Sequence, residues 1–180
     1  MGLMALGLEA MNTIQVPVYV MPKMKIFLER NAPFSQLISM NNIKLESIEE
    51  NVAVDLNNNI SITPFKVPHR NEFSETVGFT IISPYKSILY IPDIDSWDKW
   101  GLDIICLIKS NDIVFLDGTF FSDKELQDRN IHDVPHPFIY KSLQKFSILE
   151  EVERKKVYFT HLNHTNPAIN ISSSERIEII

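Results

Sequence analysis

Three short apolar runs, ILYI at 88–91, IVFL at 113–116 and VYF at 157–159, are strand-length and too short for helices, and helix-length segments separate them. Such a chain lays strands side by side and crosses over their faces, which is α/β architecture with a mixed sheet. IVFL lacks polar alternation, as in a strand covered on both faces. The pattern predicts strands over Glu75–Ser83, Ser87–Pro92 and Asp112–Asp117, a helix over 96–109 carrying Trp97 and Trp100, a helix from Pro137 to Phe146, and a last central strand in KKVYFT at 155–160. Upstream, residues 2–12 predict a helix, Val16–Met21 a strand, and 22–31 a helix opened by Pro22, whose missing N–H costs nothing there. Pro33–Met40 predicts a second short helix, and Ile43–Val67 a β-meander broken at Glu49-Glu50-Asn51 and Asn57-Asn58-Asn59.

The 180 residues suit one domain over 1–180, and 44% apolar with 22% charged residues excludes disorder and coiled coil. A net charge of −6 excludes sequence-independent nucleic-acid binding, which rests on neutralising phosphates. The lone Cys106 excludes an intrachain disulfide and a zinc knuckle, and reads as a buried, inert thiol. No apolar run approaches about 18 residues, so no membrane span is expected. MGLMALGLEAMN lacks a basic n-region, and Leu6 stands where a myristoylation motif needs Ser or Thr, so the expected address is cytoplasmic. Trp97, Trp100, Met1, Met4 and Met11 read as packing residues. Lys155 and Lys156 read as solubilising charge, and Arg70 as a solvated or salt-bridged cation rather than an anion binder.

The histidines His69, His132, His136, His161 and His164 all lie in the later two thirds. His69, His136 and His161, in VPH69, VPH136 and FTH161, are each read as standing immediately after a strand, and Asp93 and Asp117 stand just beyond strands in YIPD and FLD. In open α/β sheets ligands bind outside strand ends, and imidazole with carboxylate suits zinc, iron or manganese. The plainer account is that strand-end Asp residues cap the next helix, strongest for Asp95 before Ser96-Trp97. Pro135 stands between His132 and His136, so their spacing need not place them on one helix face. Spacing alone leaves the two accounts open.

Read together, VPHRNEFSETVGFTI, ILYIPDID, IVFLDGTFF and VYFTHLNHTNPAI resemble the later part of a metallo-β-lactamase-fold hydrolase. They are most similar to the branch containing the pyrroloquinoline quinone biosynthesis protein B, and the opening GLMALGLEAMNTIQVPVYVMP also resembles it. The resemblance implies a four-layer αββα sandwich with a dinuclear metal site along one edge. It implies His69 and His161 as ligands of the two ions and Asp93 as the carboxylate bridging them. Asp117 and His136 match supporting or proton-transfer positions, and His164 stands where relatives often carry Asn.

The family motif HxHxDH would precede the GLM helix, and this chain starts at that helix. The expectation is therefore an N-terminally truncated domain, short of up to four ligands and binding zinc weakly or not at all. With a complete site, the implied chemistry is hydrolysis of a phosphoester, ester or amide by metal-activated hydroxide. Asp93 would orient the hydroxide and His136 would act as general acid. An oxidative, iron-dependent role like that of the quinone-biosynthesis relative is the alternative, as is an inactive fragment. The expected partners are a small-molecule or phosphoester substrate and, as an assembly, a homodimer, with no membrane.

Overall fold

The structure is a computed structural model describing residues 2–57, 59–126 and 135–179; His132 lies outside them. The chain forms two compact units, Met1–Val54 with Arg70–Glu75, and Asp55–His69 with Thr76–Ile180.

In the first unit, strand β1 (Val16–Val20) pairs in parallel with β2 (Ile43–Ser47), in register from Val16–Ile43 to Val20–Ser47. Helices α1 (Pro22–Arg30) and α2 (Phe34–Ser39) make the crossover that parallel pairing requires. β2 is therefore the return of a β-α-α-β unit and not the first strand of a meander. Pro22 opens α1 as predicted, and both Glu75 carboxylate oxygens accept from Lys23 N at 3.1 and 3.2 Å. That places negative charge where the helix dipole is positive. The helix predicted over 2–12 is only a 3-10 turn, Gly2–Leu6. The chain then folds back, with Gly7 O accepting from Ala10 and Asn12 N, and leaves Met11 66% exposed.

The second unit holds a six-stranded sheet in sequence order: β3 (Val54–Asn57), β4 (Ile60–Lys66), β5 (Val77–Ile82), β6 (Ser87–Ile91), β7 (Ile113–Asp117) and β8 (Val157–Thr160). β4–β5 and β5–β6 are antiparallel, while β6–β7 and β7–β8 are parallel. Two reversals make β4 run with β6, so β4, β6, β7 and β8 all end at one edge of the sheet. β8 is last in the order among the described strands, not central, and Tyr158 on it is exposed. Leu89, Ile91, Val114 and Leu116 pack fully buried with Ile104, Ile108, Trp97 and Phe146. Ile113 and Phe115 on the other face of β7 are only half-buried, so IVFL is more completely covered on one side.

The helix predicted over 96–109 is two pieces, a 3-10 turn at Trp97–Lys99 and α3 (Ile104–Ser110). Trp100 is extended, and the Asp103 carboxylate restarts the helix by accepting from Ile105 N at 2.8 Å. Cys106 on α3 is exposed, and its thiol lies 3.4 Å from Asp103 Oδ2. The hydrogen bond to that carboxylate, and then its charge, raise the thiol's pKa and keep it protonated. Trp97 Nε1 donates to Ser142 Oγ and Trp100 Nε1 to Lys66 O, so both indoles are packing residues as expected. α4 (Ile139–Phe146), α5 (Glu151–Arg154) and α6 (Ser174–Glu178) complete the unit. Among the described residues no helix is long and apolar enough to cross a membrane.

Gly78 on β5 tests this packing. A Cβ there would stand 2.6 Å from Phe65 Cε2 and 3.0 Å from Tyr90 O, whereas one at Gly101 meets nothing within 4 Å. Gly78→Ala is expected to lower stability in urea titrations by about 1–3 kcal/mol. Gly101→Ala should leave it unchanged or raise it by up to about 1 kcal/mol. Equal effects of the two would contradict the described packing.

Candidate metal centre

The shared edge collects the chemistry-bearing residues. Asp117 ends β7, His161 follows β8, Asp93 follows β6 after one residue, and His69 follows β4 after two. The segment leading into α4 adds His136. The rings of His69 and His136 lie 5.5 Å apart, and those of His136 and His161 6.2 Å apart, so the three imidazoles form a row. His164 is exposed beyond it.

Asp117 anchors the row and is fully buried. Its Oδ2 accepts from Ile94 N at 3.0 Å and lies 2.8 Å from His136 Nδ1. Its Oδ1 accepts from Thr119 N at 2.9 Å and Thr119 Oγ1 at 2.7 Å. A carboxylate has about four lone-pair positions, and all are used. Asp93, Asp117 and His136 can each bring one ligand atom within 4.8 Å of the others, which by spacing alone suits a cation. Asp117 is nonetheless a poor ligand, because coordination would strip a buried charge of existing donors.

Asp93 is the opposite case. Its Oδ1 is buried and accepts no hydrogen bond among the described residues, although His69 Nε2 stands 3.2 Å and His136 Nδ1 3.6 Å away. His136 Nδ1 is already given to Asp117. His69 Nδ1 lies 2.9 Å from Asp95 Oδ1, and since an ionised carboxylate only accepts, Nδ1 carries the ring's hydrogen. In the neutral ring Nε2 then presents a lone pair to an anionic oxygen. Two acceptors facing each other require a proton or a cation between them. Asp93 Oδ1 and His69 Nε2 thus fit a metal ion, with Asp95 fixing the tautomer from behind.

Asp95 was expected to cap a helix; instead Ser96 Oγ accepts from Asp98 N and takes that role, which frees Asp95 for His69. Thr119 was not singled out, although Asp-Gly-Thr is a local signal: a side chain accepting from the N–H two residues on. His161 holds φ 60°, in the left-handed region that non-glycine residues seldom adopt. Gly118 N donates to Thr160 O and Asn163 N to Thr119 O, while Asn166 Nδ2 donates to the carbonyls of Gly118 and Thr119. Asn166 therefore holds the His161 loop by side-chain-to-backbone bonds. Thr165 only accepts from the Asn163 side chain.

Burial opposes charge on His136, but the hydrogen bond to Asp117 and then the charges of Asp117, Asp93 and Asp95 outweigh it and raise its pKa above 6.5.

A family model described as the beta-lactamase superfamily domain matches residues 3–162. The coenzyme PQQ synthesis protein B of Acinetobacter baumannii (strain ACICU) is 26% identical over 128 residues, 66% of this chain and 41% of that protein. Its counterpart in Pseudomonas protegens is 26% identical over 130 residues, 67% of this chain and 42% of the relative. The chain thus matches about two fifths of the length of these relatives. Among solved structures, zinc-bound PqqB from Methylobacterium extorquens superposes with a TM-score of 0.73 at 22% identity, over 99% of this chain and 60% of that one. Unliganded yeast PDE1 gives 0.57 at 12% identity, over 87% and 50%. The α/β architecture is therefore that of the metallo-β-lactamase fold.

Because the His136 pKa is higher in the folded than in the unfolded chain, the folded state holds that proton more tightly. The stabilisation is complete below about pH 6.5 and is lost as pH rises through the folded value. In metal-free protein the stability difference between wild type and His136→Gln should be larger at about pH 5.5 than at about pH 8 in urea titrations. A difference that stays constant over that range would contradict the charge arrangement.

Proposed function

This chain belongs to the beta-lactamase superfamily, and from that premise we propose that its site serves a metal-dependent hydrolase. One observation carries the reading: Asp93 Oδ1 and His69 Nε2 face each other at 3.2 Å, while Asp95 takes the hydrogen of the neutral His69 ring on Nδ1. His69 and Asp93 would hold a divalent ion, and His161 would offer a ligand to a second. Imidazole with carboxylate suits zinc, with iron or manganese as chemical alternatives, and the zinc-bound structural neighbour favours zinc. Bound there, the metal supplies Lewis acidity and a water acidic enough to yield hydroxide near neutral pH.

The chain's own residues supply positioning and protons. Asp95 keeps His69 Nε2 bare, and Asp93 presents a buried, uncommitted oxygen. His136 gives Nδ1–H to Asp117 and is held more basic than an ordinary imidazole, so its Nε2 can carry a proton to a leaving-group oxygen or nitrogen. Departure of that group takes the proton from Nε2, and Asp117 stabilises the ring throughout. The substrate is a small phosphoester, ester or amide. Catalytic zinc sites use three protein donors, so with few donors per ion the described residues give modest affinity.

A second reading, a role in synthesis of coenzyme PQQ, is favoured by the similarity to synthesis protein B.

Zinc titration followed by metal analysis, with hydrolysis of a chromogenic phosphodiester, tests the first reading. His69→Ala and Asp93→Ala are each expected to weaken zinc binding by about 10–100-fold or more and to lower turnover in parallel. Lys86→Ala, on the surface, should change neither. Wild-type zinc stoichiometry in both site variants contradicts the ligand assignment. Wild-type protein that retains no metal supports the inactive-fragment alternative.

A further inference from the structure

Asp117 reaches two of the three imidazoles, His136 directly and His161 through a hydroxyl. Thr119 Oγ1 lies 2.7 Å from Asp117 Oδ1 and 3.0 Å from His161 Nδ1, and Thr119 is buried. A hydroxyl has one hydrogen to give. Asp117 has four donors on its four lone-pair positions and no room for a proton of its own, so the Thr119 hydrogen must point at Oδ1. Towards His161 the hydroxyl can then only accept. The hydrogen of the neutral His161 ring is therefore on Nδ1, and Nε2 is bare.

We infer that Thr119 is a positioning residue that transmits the orientation of the Asp117 carboxylate to His161 and fixes the tautomer of that ring. The backbone is arranged for it. His161 takes its left-handed conformation directly after β8, and Asn163 and Asn166 tie the following loop to the carbonyls of Gly118 and Thr119. Gly118 lets β7 and β8 close up here, since a Cβ on it would stand 2.8 Å from Phe159 Cβ and 3.1 Å from Thr160 O. All three imidazoles thus present the same nitrogen, His69 through Asp95, His136 through Asp117 and His161 through Thr119. The value of that nitrogen to a metal rests on the hydrolase reading; the tautomer does not.

The tautomer is read from the 15N shifts and ring couplings of His161 in metal-free full-length protein, at a pH of about 8.5, about two units above the ordinary imidazole value. Wild type and Thr119→Ser are expected to carry the hydrogen on Nδ1. Thr119→Val removes the hydroxyl at nearly constant volume. It should let this exposed ring take the Nε2–H form that neutral imidazole prefers in water, while His136 keeps Nδ1–H through Asp117 Oδ2. A His161 ring unchanged in Thr119→Val, or protonated on Nε2 in wild type, overturns the inference. Should Thr119→Val fail to fold, wild type and Thr119→Ser decide, and a serine variant with Nε2–H overturns it. Failure of zinc to bind any of these proteins would count against the hydrolase reading and leave the tautomer result standing.

Discussion

A fully buried carboxylate at the end of β7 organises this edge of the molecule. An unpaired carboxylate in that position would cost several kcal/mol, so Asp117 requires its four donors. Meeting that demand fixes Ile94 N, which comes directly after Asp93, the Thr119 turn, and the ring of His136. Satisfying one buried charge therefore sets the place of three separate chain segments. The parallel β6–β7 pairing brings the first two of those segments within reach, because parallel strands end together.

Asp93 plays the complementary part. Asp117 is saturated and so is a scaffold; Asp93 keeps one buried oxygen uncommitted, and so is the ligand candidate. Raising the His136 pKa and leaving Asp93 Oδ1 without a donor express the same condition. The pocket gathers more negative charge than the described side chains neutralise, and either protons or metal ions meet the difference.

Much of this was legible in the sequence. Apolar runs marked the strands, and residues just beyond them marked Asp93, Asp117 and His161, since strand ends are local signals and their convergence follows from parallel order. The supporting residues were harder to see. Asp95 sits before Ser96-Trp97 and carries the pattern of a helix cap, a role that only the structure assigns to Ser96. Thr119 acts through a hydroxyl on a ring forty-two positions away, and no periodicity encodes that distance. The parallel return of β2 escaped as well, because a short strand does not declare its partner's direction. Cys106 read as buried because its neighbours are apolar, yet the helix is restarted by Asp103 and turns the thiol outward.

The central claim is that His69 Nε2 and Asp93 Oδ1 face one another because a cation belongs between them. Diffraction at the zinc absorption edge from zinc-soaked crystals measures this directly. The account predicts an anomalous peak about 2.0–2.2 Å from both atoms, with His69 Nδ1 still on Asp95. Zinc bound elsewhere, with no anomalous density between those two atoms, would contradict it.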